Sequence, residues 1–183
     1  MIDLKRRGLP NAIYGNLGEP VKLNTDYRVW LTFSDRIEKA ADGDTKSYTE
    51  LFEDDAPLLT EYILAQLQAF YYEKPEIPRE SKKGGPELID YDIDADYIYA
   101  AFMQSYGIDL VEADLHWHKF LALVMALPED TMMAKIMGYR GYDGKSKDPG
   151  YEDYIELKYV WALPEKRTEE EQKAIDEFNE MFG

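Results

Sequence analysis

The 183-residue chain has no cysteine, which excludes a disulfide framework, a thiolate metal site and a cysteine nucleophile. Histidine is almost as scarce, with only His116 and His118. On a helix, two positions turn the rings roughly 200° apart, so the pair is expected to point to opposite sides and not to grip one ion. With no third nitrogen or sulfur ligand, no metal site is assigned. Asp90, Asp92, Asp94 and Asp96 alternate with other residues but lack the central glycine and closing glutamate of a calcium loop, so they read as the start of a helix. No serine stands in a nucleophile elbow, and the glycines before Lys145-Ser146 do not have the spacing of a phosphate-cradling loop. The expectation is therefore a protein that is not an enzyme, with no catalytic residue and no cofactor.

Positive charge is also in short supply. Lys and Arg total 21 against 37 Asp and Glu, a formal charge of -16. Such a balance disfavours nucleic acid and anionic membrane as partners and favours a basic one. No apolar run approaches the ~20 residues of a membrane span, and Met1 to Gly8 lacks the apolar stretch of a signal peptide. The expectation is a soluble protein inside the cell. The basic pair Lys82-Lys83 is too short to argue nucleic-acid binding.

What the chain does have is helical periodicity. The fold expected is all-α, or mainly α: one domain over residues 1–183, with about six to eight helices. Ala12 to Tyr14 and Val21 to Leu23 could add a small N-terminal β-hairpin across the Gly15 to Pro20 turn. Asn24 or Thr25 is the expected cap of a helix to about Ala41, followed by a short one near Tyr48 to Phe52. A longer helix is expected from Asp54 or Asp55, with Pro57 in its first turn, ending before Pro75. Residues 73–90, rich in proline, glycine and charge, read as a loop that cannot bury enough surface to offset its ordering entropy.

The centre of the chain is its most helical part. Asp94 is the expected cap of a helix carrying Ile98, Ala101 and Phe102, ended by Gly107 in a left-handed turn. Asp114 is the expected cap of the next, with Trp117, Phe120, Leu121, Val124 and Leu127 on one arc and Lys119, Ala122 and Ala126 opposite. Its heavy and small faces suggest a central helix packed on both sides. Leu127 to Thr131 is a punctuated turn, and a short helix through Met132 to Met137 is expected to close at Gly138. Tyr151 to Leu163 fits both a strand and a helix, and helix is favoured because no pairing strand is near. Thr168 and Glu171 have the spacing of a capping box, opening a C-terminal amphipathic helix at about 168–182.

Aromatic residues are plentiful: 15 Tyr, 3 Trp and 7 Phe. Trp30 and Trp117 read as core. Trp161, Ile175, Phe178 and Phe182 are the candidate partner-binding residues, since such side chains bury area with little entropy loss and an amphipathic terminal helix can dock on a partner.

Four stretches carry a family resemblance. Tyr-Gly-Ile-Asp-Leu (106–110), Leu-His-Trp-His-Lys-Phe-Leu-Ala-Leu (115–123) and Leu-Pro-Glu-Asp-Thr (127–131) resemble the signature of the phage gene-fifteen protein family of tailed bacteriophages and prophages of Gram-positive bacteria. Pro-Val-Lys-Leu-Asn-Thr-Asp-Tyr-Arg-Val-Trp (20–30) is similar to its other recurrent motif. The resemblance implies a place among tail morphogenesis genes, between those for the major tail protein and the tape measure. It implies a tail assembly chaperone that binds the tape measure protein, or other phage tail proteins, in the cytoplasm of the bacterial host. A structural tail or head-to-tail component of the virion is the alternative, and an acidic decoy for a host protein a weaker one. A homo-oligomer is compatible with each.

Overall fold

In the computed structural model the described residues are 7–72 and 87–164. Among them the fold is mainly α, as expected, with eight helices and a two-stranded antiparallel hairpin near the N-terminus. Most of the expected 73–90 loop and the whole expected helix at 168–182 lie outside the described residues. The chain divides into two units, Met1–Lys83 with Tyr91–Lys135, and Gly84–Asp90 with Ile136–Gly183.

The first unit opens with the hairpin. Strand β1 (Ala12–Tyr14) pairs with β2 (Pro20–Lys22), Ile13 opposite Val21. So short a hairpin is marginal alone, and here it is held by α4 (Glu61–Tyr71). The Gln66 side-chain amide accepts from Tyr14 N at 2.9 Å and donates to Tyr14 O at 2.8 Å, completing the strand edge as a third strand would. Ile13 is buried.

The helix expected from Asn24 or Thr25 to Ala41 is two helices. Asp26, not Asn24 or Thr25, caps α1 (Tyr27–Leu31) by accepting from Arg28 N, and α2 (Phe33–Ala41) follows after a break at Thr32. Arg36 holds the break together: its Nε donates to Val29 O and to Thr32 Oγ1, and its Nη1 donates to Ser47 O within α3 (Thr45–Thr49) and to the carboxylate of Glu50 at its C-terminus. Helix α4 starts later than the proline rule suggested. Pro57 lies before the helix, outside any regular element, and Thr60 is the cap, its hydroxyl accepting from Ile63 N.

Helix α5 (Ala95–Tyr106) begins after Asp94 and ends at Gly107, whose φ of 63° supplies the left-handed turn. Helix α6 (Trp117–Met125) is capped by His116 rather than Asp114. Its heavy arc is buried at Trp117, Phe120 and Val124, whereas Ala122 and Ala126 are exposed. Among the described residues it is therefore the heavy face that packs, not the small one. Helix α7 (Met132–Arg140) is opened by Thr131, whose hydroxyl accepts from Ala134 N, and it runs through Gly138 instead of stopping there.

The core of the first unit is an unbroken series of ring contacts. Trp30 stacks on Phe33 at 5.5 Å, Phe33 on Tyr71 at 4.7 Å, Tyr71 on Trp117 at 5.2 Å, Trp117 on Phe120 at 5.8 Å, and Phe120 on Phe102 at 5.4 Å. Trp30 and Trp117 are thus core, as expected, and each indole N–H finds a carbonyl, of Asn24 and Tyr71 respectively. Buried indoles are satisfied, so the rings contribute packing at little polar cost.

In the second unit, residues 151–160 are helical (α8, Tyr151–Val160), resolving the ambiguous stretch as the reading favoured. The buried Arg140 ties its parts together, donating from Nε to Trp161 O at 2.7 Å and from Nη1 to Leu88 O at 3.0 Å. Tyr142 stacks on Tyr154 at 4.8 Å.

Candidate functional site

Two chain reversals bring the starts of α1 and α6 side by side. Tyr27 N donates to Leu115 O at 3.0 Å and Trp117 N to Thr25 O at 2.9 Å, an isolated antiparallel bridge between Asp26 and His116. Tyr27 then stacks on Phe120 with ring centroids 4.7 Å apart, and its hydroxyl donates to Leu110 O at 2.6 Å. Arg28 completes the joint. Its Nη1 forks onto both Asp26 oxygens, at 3.2 and 3.0 Å, and its Nη2 donates to the carbonyls of Leu110, Val111 and Ala113 at 2.8, 2.8 and 3.1 Å. One guanidinium thus fixes the turn between α5 and α6 to the start of α1.

Between α1 and α5 this construction leaves an open groove of about 540 Å³. Its floor is the buried Tyr27, Ile98, Leu110 and Phe120, and its walls are Leu31, Tyr91, Ala95 and Tyr99, with Val111 at the rim. Tyr99 is 36% exposed and Val111 71%, so apolar surface beside a dense aromatic core is left facing solvent.

The lining of the groove carries one acid, Asp96, and one base, Arg28, whose guanidinium lies 4.9 Å over the Tyr27 ring. Burial raises the pKa of the Tyr27 hydroxyl; the neighbouring Arg28 opposes that, and the Asp26 and Asp109 carboxylates add to it. Asp96 also lines the groove and is exposed. Arg28, the one cation among the lining residues, is engaged by Asp26 and three carbonyls, as described.

The match to known families decides the assignment. Residues 18–163 match the family described as Bacteriophage Gp15 protein. The chain belongs to the bacteriophage Gp15 protein family. The matched range contains every residue of the groove and the Asp26–His116 bridge, and it bears out the resemblance of residues 20–30 and 106–131. No curated protein and no solved structure matched.

In this Gp15 family member the histidines are not arranged as their spacing suggested. His116 sits just outside α6 with extended backbone, so the helical angle between the two does not apply, and the rings lie 5.1 Å apart. His116 Nδ1 accepts from His118 N at 3.0 Å, its Nε2 faces Pro10 O at 2.8 Å, and His118 Nε2 faces Phe70 O at 2.9 Å. Among the described residues, no group of three or more His, Cys, Asp or Glu is placed to hold a metal ion.

Of the candidate partner-binding residues, Trp161 is half-buried in the second unit, directly after α8, with its carbonyl held by Arg140. Ile175, Phe178 and Phe182 lie outside the described residues and beyond the matched range. The sequence reading missed Tyr27, Arg28 and Val111 as groove residues. A signal existed in the Thr25 to Trp30 motif, where an arginine follows a capping aspartate, but its three carbonyl acceptors are more than eighty positions away in the chain.

Proposed function

We propose that this Gp15 family member is a phage tail morphogenesis protein, acting as a tail assembly chaperone that binds the tape measure protein in the cytoplasm of the bacterial host. Family membership supports the phage context. The observation that carries the binding role is the groove between α1 and α5, where Tyr99 and Val111 stay exposed beside an otherwise buried aromatic floor. Exposed apolar surface in a concave setting marks interaction sites. The excess of acid, 37 Asp and Glu against 21 Lys and Arg, suits a basic client. In this reading the chain works by binding alone, without catalysis or a cofactor.

The test is co-expression with the tape measure protein of the same phage. The chaperone role requires that the tape measure stay in the soluble fraction only when this chain is present, that the two co-purify, and that mature particles lack this chain. Failure to associate, together with detection of this chain in purified virions by mass spectrometry, would replace the chaperone by a structural tail component.

A further inference from the structure

We propose that the joint between the starts of α1 and α6 is opened by acid: a proton on His116 removes the cap of α6 and releases the Asp26–His116 bridge, while the rest of the unit stays folded. The inference goes beyond the binding role just proposed and does not depend on it.

His116 belongs to two structures at once. Its backbone forms the bridge, flanked by the bonds from Tyr27 N to Leu115 O and from Trp117 N to Thr25 O. Its ring is the cap: Nδ1 accepts from His118 N at 3.0 Å, and Nε2 lies 2.8 Å from Pro10 O. A carbonyl only accepts, so the ring proton sits on Nε2 and Nδ1 keeps its lone pair. Protonation turns Nδ1 into a donor aimed at an N–H. The ring then turns away and gives up Pro10, or the first turn of α6 moves; either way the His118 amide loses its acceptor.

The groups around the ring decide the direction. Burial disfavours the added charge, the bond to Pro10 O favours it, and Lys119 of α6 and the chain's amino terminus oppose it. From α4 the ring meets the apolar Phe70, at 5.9 Å. From α1 it meets Asp26, whose carboxylate is turned to Arg28. The neighbouring His118 ring is 5.1 Å away, held by Phe70 O at 2.9 Å, and a charge on His116 opposes one there as well. Opening returns His116 to water, where it takes its proton at the ordinary pKa near 6.5, so opening and proton uptake are coupled. The stack of Tyr27 on Phe120 and the Arg28 fork involve neither histidine, which confines the opening to residues near 25–27 and 115–118.

The test is nuclear magnetic resonance of the full chain, labelled with nitrogen-15, from about pH 7.5 to 5. The imidazole nitrogen shifts of His116 are expected to show the Nε2–H tautomer at the upper end. Below about pH 6.5 the protection factors of the Tyr27, Trp117 and His118 amides should fall, by up to about tenfold per pH unit for each proton taken up. At about pH 5.5 they should lie at least about tenfold below those of Ile98 and Phe102 in α5. His116→Asn supplies a cap that does not titrate. Its bridge amides should lose protection less steeply than those of the native chain, by up to about tenfold per pH unit.

An Nδ1–H tautomer at His116 overturns the proposal, because the ring is then no cap. So does a His116 ring that titrates while the bridge amides keep their protection. Loss of protection at all amides together also overturns it, since the acid transition is then global unfolding. These three readouts come from the native chain and hold whether or not the variant folds. With a folded His116→Asn, equal slopes in the two chains move the pH dependence to His118 and overturn the role given to His116.

Discussion

His116 Nδ1 accepts a hydrogen bond from the backbone N–H of His118 at 3.0 Å. The imidazole thereby serves as the N-cap of α6, a part more often played by serine, threonine or aspartate. An accepting Nδ1 places the ring proton on Nε2, directed at Pro10 O, so the cap exists only while His116 is neutral. A second proton would set N–H against N–H.

Both histidines should make stability depend on pH. Burial lowers the pKa of His116, opposed by its bond to Pro10 and reinforced by Lys119; burial likewise lowers His118, to about 4, opposed by its bond to Phe70 and reinforced by His116. A histidine whose folded pKa lies below its unfolded value near 6.5 leaves the folded state with fewer protons. Stability is then complete above about pH 6.5 and is lost as pH falls toward the folded pKa. For His118, which is 5% exposed, the full loss between about pH 6.5 and 4 is on the order of 3 kcal/mol. Relief of acidic repulsion works the other way, so the comparison is internal. Denaturant midpoints measured from pH 7.5 to 5 should fall more steeply in the native chain than in His118→Gln, whose amide can still donate to Phe70 O and which keeps only the His116 contribution.

Arg28 is expected to contribute to stability through geometry more than charge. Its pair with Asp26 is part-exposed and worth little by itself, but its Nη2 satisfies three carbonyls of the α5–α6 turn. Arg28→Ala should cost about 2 kcal/mol in urea unfolding. Arg28→Lys should recover less than half, since a point charge cannot reproduce the fork. In hydrogen exchange, amides near residues 109–113 should gain more in rate than the global loss of stability accounts for, while those elsewhere follow only the global change.

The same residues explain how far the sequence could be read. Periodicity located Trp30, Phe102, Trp117 and Phe120 in the core, because a buried helical face repeats locally. It placed the starts of helices poorly. Asp26, Thr60 and His116 took the caps expected of Asn24 or Thr25, Asp54 or Asp55, and Asp114, and in each case a long-range contact decided. The Asp26–His116 bridge fixes two of those starts at once, while Thr60 is positioned by a hydrogen bond to Asn16 of the hairpin turn. The groove was illegible for the same reason: its walls come from residues 27–31, 91–99 and 110–120, and no single stretch carries its shape.

Two glycines expected to end helices give opposite predictions. Gly107 does end α5, at a φ of 63°, a backbone that L side chains rarely adopt even though its surroundings are open. Gly107→Ala should therefore destabilise by about 1 kcal/mol, the cost of a left-handed non-glycine residue. Gly138 lies inside α7, and a Cβ there would meet nothing within 4 Å. Gly138→Ala should stabilise by roughly 0.5–1 kcal/mol, because alanine loses less backbone entropy in a helix. Thermal melts of the two variants should shift in opposite directions.

Gln66 connects the hairpin to the helical core, and its removal should be felt in the hairpin first. Its amide both accepts from Tyr14 N and donates to Tyr14 O, so Gln66→Ala leaves an edge strand with two backbone groups returned to water. Because the site is part-exposed, water can replace those bonds, and the global cost should be only about 1 kcal/mol. The local effect should be larger. A three-residue strand pair has little stability of its own, so amides of residues 12–15 and 20–23 should exchange faster in the variant while those of α5 and α6 follow only the global change. Gln66→Glu discriminates further: its carboxylate can still accept from Tyr14 N but cannot donate to Tyr14 O, and it should fall between the native chain and Gln66→Ala. If the hairpin amides keep their native protection in Gln66→Ala, burial of Ile13 alone holds the strands, and the amide pairing is incidental.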